Sequence, residues 1–160
     1  MNLNIPTVPL AELAAKGIIP QAGGTKPVVL VVDDEVVIAD TLTAILKQNG
    51  LAAMAAYDGT TALQIVRSIP PHLLLTDVAM PGINGIDLAI ATQRAVPDCK
   101  VLLFSGHAAT ADLLARARSE GHNFTILQKP LHPAELLVRV SEALKVQSPK
   151  ENGSKHTLRA

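Results

Sequence analysis

Five side chains scattered along the chain have the types needed for one piece of chemistry: the carboxylates of Asp33, Asp34 and Asp77, the hydroxyl of Ser105 and the ammonium of Lys129. Carboxylates brought within a few ångströms repel by ~4 kcal/mol per close pair at an effective dielectric of about 20, so such a cluster calls for a cation or for protons. A hard divalent ion answers that need. Mg2+ takes oxygen ligands, keeps several waters and is commonly held by one or two carboxylates together with phosphate oxygens, which suits Asp34 and Asp77. Lys129 then offers a point charge, and Ser105 a donor, to the oxygens of a phosphoryl group in flight. Asp77 is the candidate nucleophile, because a carboxylate can form an acyl phosphate.

These groups meet only if the chain delivers them to a common edge. Asp33, Asp77, Ser105 and Lys129 each stand at the end of a short apolar run, at residues 28–32, 73–76, 101–104 and 124–127 respectively. A further run at 51–56 ends without such a group. Continuous Val, Leu and Ile runs of this length are the mark of strands buried on both faces of a parallel sheet. Helical patterns separate them. Ile38, Leu42, Ile45 and Leu46 share one face before Asn49-Gly50, and a second helix opens at Asp58-Gly59 and stops at Pro70-Pro71. Helices are predicted near 84–95 and 110–120, and a last one begins at Pro133, with Leu136, Val140, Ala143 and Leu144 forming its apolar stripe. Five strand-helix units therefore wind into one α/β layer structure, in which ligands bind at the carboxyl ends of the strands.

Composition agrees with one folded domain. The chain has 160 residues, 48% hydrophobic and 18% charged, enough to build a core. Fourteen Lys and Arg balance 14 Asp and Glu, so no global basic field draws the chain onto nucleic acid or an anionic membrane. Direct DNA binding is not expected, and no apolar run is long enough for membrane insertion. Cys99 is the single cysteine and is read as a small buried hydrophobe, which fits a reducing, cytoplasmic setting. Residues 1–26 read as a mostly flexible extension and residues 147–160 as a polar, disordered tail whose Lys150, Lys155 and Arg159 are solvated charges.

Taken together, Val-Val-Asp-Asp-Glu at 31–35, Leu-Thr-Asp-Val-Ala-Met-Pro-Gly-Ile-Asn-Gly at 75–85, Phe-Ser-Gly at 104–106 and Lys-Pro at 129–130 resemble the receiver domain of two-component response regulators. The resemblance covers residues 27–146. It implies a flavodoxin-like, doubly wound five-stranded parallel sheet of order 2-1-3-4-5 with helices on both faces, an order known for chemotaxis receivers. It also implies that Asp77 receives a phosphoryl group from a sensor histidine kinase or histidine phosphotransfer protein. Asp34, Asp77 and the main-chain carbonyl of Ala79 are then the Mg2+ ligands, with Asp33 acting through water, while Ser105 and Lys129 hold the phosphoryl oxygens. A cis Lys129-Pro130 bond is expected from the same likeness. With no output domain in view, the expected protein is a stand-alone phosphoacceptor, not an enzyme acting on external substrates, read by a downstream partner protein.

Some residues depart from the pattern. The aromatic usual three positions before the lysine is replaced by Ile126, and Phe124, on the same strand face, is the nearby candidate to stand in for it. His107 follows Ser105 closely and is read as a solvated loop residue, while His72, His122, His132 and His156 share no metal-ligand spacing. Gly82 and Gly85 are turn glycines, not a phosphate loop. Two other functions remain open at this point: a docking module of the same fold that works without phosphorylation, and a phosphatase of the haloacid-dehalogenase type. The latter resembles Asp-x-Asp at its nucleophile, and Ala79 occupies the second acidic position here.

Overall fold

Successive side chains along an extended strand point to opposite faces, and the run Val28–Val32 (β1) divides accordingly. Val29 and Val31 enter one apolar cluster, Leu30 and Val32 another. The computed structural model describes residues 25–106 and 110–145. After β1 come α1 (Val36–Gln48), β2 (Ala52–Ala56), α2 (Gly59–Ser68), β3 (Leu73–Asp77), α3 (Gly85–Ala95), β4 (Lys100–Ser105), α4 (Thr110–Ser119), β5 (Thr125–Gln128) and α5 (Pro133–Lys145). All strand pairs are parallel and form one five-stranded sheet in the order β2-β1-β3-β4-β5. The doubly wound α/β architecture and strand order expected for the chain are the ones it adopts.

Helices cover both faces. On one, Leu42, Ile45 and Leu46 of α1 and Leu136, Val140 and Leu144 of α5 close over Val29, Val31, Leu75 and Phe104. On the other, Ala62 and Val66 of α2, Leu88 and Ala89 of α3 and Ala117 of α4 close over Leu30, Val32, Leu74 and Leu103. Full burial of one such Val or Leu side chain stabilises the fold by roughly 1.5–3 kcal/mol, and central β3 is buried along its whole length. The edge strand β5 is thinner, with Leu127 its only buried residue.

Local chemistry sets the helix starts. Asp58 accepts the Thr61 N–H at 2.7 Å and begins α2, and Asn84 accepts the Asp87 N–H at 2.9 Å and begins α3; such a cap is worth about 1 kcal/mol. Gly50, with φ 84°, takes the chain out of α1. Several element ends differ from the sequence reading by a residue. The fifth strand is Thr125–Gln128 rather than 124–127, because the ladder with β4 pairs Leu102 with Thr125 and Ser105 with Gln128. Phe124 lies just before it and stacks on His122. Except for Thr25 and Lys26, the extension expected over 1–26 falls outside the described residues, as do the 147–160 tail and His107.

Candidate functional site

The sheet order puts the ends of β1 and β3 side by side, and so the acids that follow them. Asp33 is fully buried; its N–H donates to the Ala56 carbonyl at 3.2 Å, and its Oδ1 accepts the Glu35 N–H at 2.9 Å. Asp77 is the last residue of β3 and is 5% exposed, whereas Asp34 is exposed to solvent. One carboxylate oxygen from each of the three lies within 4.8 Å of the others. Lys129, just past β5, reaches across to them: its Nζ is 3.2 Å from Asp33 Oδ2 and 3.5 Å from Asp77 Oδ1. Its N–H donates to the Ser105 carbonyl at 3.1 Å, and its ammonium sits 5.1 Å from the centre of the Phe104 ring. The Lys129-Pro130 bond is cis, as expected.

The β3–α3 loop carries Ala79 and is tied down at both sides. Val78 donates its N–H to the Phe104 carbonyl at 3.2 Å and accepts the Gly85 N–H at 2.9 Å. Gly85 is required by contact: a Cβ there would stand 1.9 Å from the Asp77 carbonyl oxygen. With no side chain at that position, the start of α3 lies directly on the main chain of the candidate nucleophile.

Ser105 ends β4 at the same rim, and its hydroxyl has a partner that sequence reading missed. Its Oγ lies 2.6 Å from Oγ1 of Thr110, the first residue of α4, and both residues are buried. Five positions separate the two, a spacing with no helix or strand periodicity behind it, so only the fold reveals the pair. Phe124 and Ile126 pack against the same apolar cluster but border different cavities. Ile126 borders a cavity with Ser105, Thr110 and Leu114, whereas Phe124 borders a different one with Lys100 and Arg139. His72 lies far from this chemistry in role, its Nδ1 accepting the Val28 N–H at 2.9 Å at the opposite end of β1.

Known proteins are similar to this chain. A family model described as response regulator receiver domain matches residues 29–141. The chain belongs to the response regulator receiver family. The DNA-binding response regulator MtrA of Mycobacterium tuberculosis (strain ATCC 25618 / H37Rv) is 34% identical over 117 residues, covering 73% of this chain and 50% of that protein. The chain spans about half the length of the curated relatives it matches. Among solved structures, the signal receiver domain of an HD domain-containing protein from Pseudomonas fluorescens Pf-5 superposes with a TM-score of 0.71 at 29% identity, covering 77% of this chain and 98% of that one. A two-component transcriptional regulator AraC from Clostridium phytofermentans ISDg gives a TM-score of 0.67 at 32% identity, over 75% and 94% of the respective chains.

The electrostatics of this receiver fit the cation that the family implies. Burial raises the carboxyl of Asp77 above its ordinary value; Lys129 opposes that shift, and the Asp33 and Asp34 charges add to it. Burial likewise raises Asp33, against the Glu35 N–H and Lys129. For Lys129 burial is the largest single influence and acts downward, yet the carboxylates of Asp77 and Asp33 together outweigh it and hold the ammonium above the usual lysine range. Negative charge at the rim therefore exceeds what one lysine neutralises. Among the described residues the donors are all hard oxygens, with no thiolate or imidazole among them, which is the set Mg2+ prefers over a soft metal. Asp33, Asp34 and Asp77 are the residues that could hold it.

Proposed function

We propose that Asp77 is the phosphoacceptor of this receiver, charged by a sensor histidine kinase or a histidine phosphotransfer protein, and that a partner protein reads the phosphorylated face. The observation that carries this reading is the meeting of Asp33, Asp34, Asp77 and Lys129 at one rim from three separate strands. An Asp77 carboxylate oxygen attacks phosphorus; the P–O bond forms as the P–N bond to the donor imidazole breaks. The imidazole nitrogen leaves with the electron pair and is reprotonated from solvent. Asp34, Asp77 and the Ala79 carbonyl would hold Mg2+, with Asp33 acting through water, and the ion would supply positive charge to the phosphoryl oxygens. Lys129 moves from its carboxylate partners to a phosphoryl oxygen, and Ser105 donates to another.

Ser105 ends β4 and Lys129 follows β5, so the group they capture pulls on that side of the sheet, the side a partner then reads. A neutral formal charge favours a protein partner over DNA. Among the described residues no helix is long and apolar enough to cross a membrane, and a cytoplasmic site of action accords with that. The chain's own chemistry is limited to its phosphorylation and dephosphorylation, with no external substrate turned over. Incubation of the protein with Mg2+ and acetyl phosphate should add the mass of one phosphoryl group to Asp77, with acetate as leaving group, and D77N should gain none. Unchanged partner binding by D77N would favour the docking module that works without phosphorylation.

A further inference from the structure

Ile126 leaves a space of about 540 Å³ between β5 and α4, bordered by Ser105, Thr110, Leu114 and Gln128, with no aromatic ring among the described residues that line it. None of those residues can transmit a signal by a ring swinging inward. What spans the wall of this cavity is the pair of buried hydroxyls, Ser105 at 5% and Thr110 at 6% exposure, 2.6 Å apart. We propose that Thr110 is a positioning residue: its hydroxyl donates to Ser105 Oγ, turns the Ser105 proton toward a phosphoryl oxygen on Asp77, and so ties the start of α4 to the phosphate. The inference rests on the function proposed above.

The chemistry of hydroxyls gives the direction. Each has one proton and can accept two more, so in a bonded pair one oxygen donates and the other accepts. Before phosphorylation either direction is allowed between Ser105 and Thr110. Once a phosphoryl oxygen takes the Ser105 proton, the bond survives only with Thr110 as donor. A chain of two hydroxyls pointing the same way then runs from α4 to the anion, and each bond in such a chain polarises the next. No covalent bond of Thr110 changes. The receiving element can respond, because Thr110 and Ala117 are the only buried residues of α4 and the cavity beneath leaves it room.

Hydrogen exchange tests this on the full chain, with Mg2+ and beryllium fluoride as the phosphoryl mimic. In the wild-type protein the ligand should slow amide exchange in the β3–α3 loop and in α4, the latter by about fivefold, the factor one ordinary hydrogen bond is worth. T110S, which keeps the hydroxyl, should behave as wild type. T110V should keep the loop response and lose the α4 response; T110A, carried in parallel, makes the same deletion without the valine's bulk. An α4 response in T110V and T110A equal to wild type overturns the inference, as does T110S failing like the deletions. A wild-type protein that responds nowhere overturns the proposed function itself, and the inference with it.

Discussion

The acid rim and the quarter of the molecule beside it are built to different standards. Asp33 and Asp77 emerge from β1 and β3, two of the three inner strands, and the loop after β3 is pinned to β4 on one side and seated against α3 through Gly85 on the other. Ser105 and Lys129 emerge from β4 and β5, next to a cavity, a sparsely buried α4 and an edge strand with one buried residue. The difference separates holding from moving. Ligands fixed in advance bind a metal without reorganising, whereas a segment with few buried apolar contacts shifts at low cost when a new bond pulls on it.

Substitutions can break this contrast, and the largest effect belongs to the rigid side. Gly85→Ala drives a methyl group into the Asp77 carbonyl, with backbone rather than a flexible side chain in the way; a loss of about 3 kcal/mol in denaturant unfolding is expected. Lys129→Met comes next. It removes the cation facing two buried carboxylates, and a loss of about 2 kcal/mol is expected, below the roughly 3–5 kcal/mol of a fully buried pair because Lys129 is partly exposed.

Asp77→Asn should act in the opposite direction in metal-free protein. Burial raises the folded-state value of this carboxyl above its ordinary one, so the folded chain binds its proton more tightly than the unfolded chain. The wild type therefore loses stability as pH rises from the ordinary carboxylate value through the raised one. At neutral pH, in the presence of a chelator, D77N should melt higher by roughly 2–4 °C, which is what ~1 kcal/mol does to a domain of this size. The gap should close in acid. Lys129, also raised, contributes stability that is complete below the usual lysine range and lost as pH climbs through its folded value. On the α4 side, Arg116→Ala breaks only exposed pairs with Asp87 and Glu120 and should change stability by about 0.5 kcal/mol or less.

The same division marks what the sequence could reveal. Continuous apolar runs alternating with helical stripes are long-period patterns, so all five strands and five helices were legible, and the acids at the strand ends followed from them. Strand order was not in the periodicity; it came with the motifs at Asp33-Asp34, Asp77, Ser105 and Lys129-Pro130. Contacts fixed by loop geometry were hidden. The Ser105 and Thr110 hydroxyls, the bond of the Tyr57 hydroxyl to Asp40 just past the second strand, and the separation of Phe124 from Ile126 across two cavities all depend on side-chain directions that no spacing encodes.

A Mg2+ titration of thermal stability tests the rim most directly, because a ligand that binds only the folded chain stabilises it by mass action, about 2.7 kcal/mol at a hundred times its dissociation constant. The wild-type melting temperature should climb with Mg2+ from its chelated value, and that of D77N, which starts higher, should climb far less. A wild-type protein indifferent to Mg2+, or a D77N protein that gains as much, would contradict a cation site built from Asp33, Asp34 and Asp77.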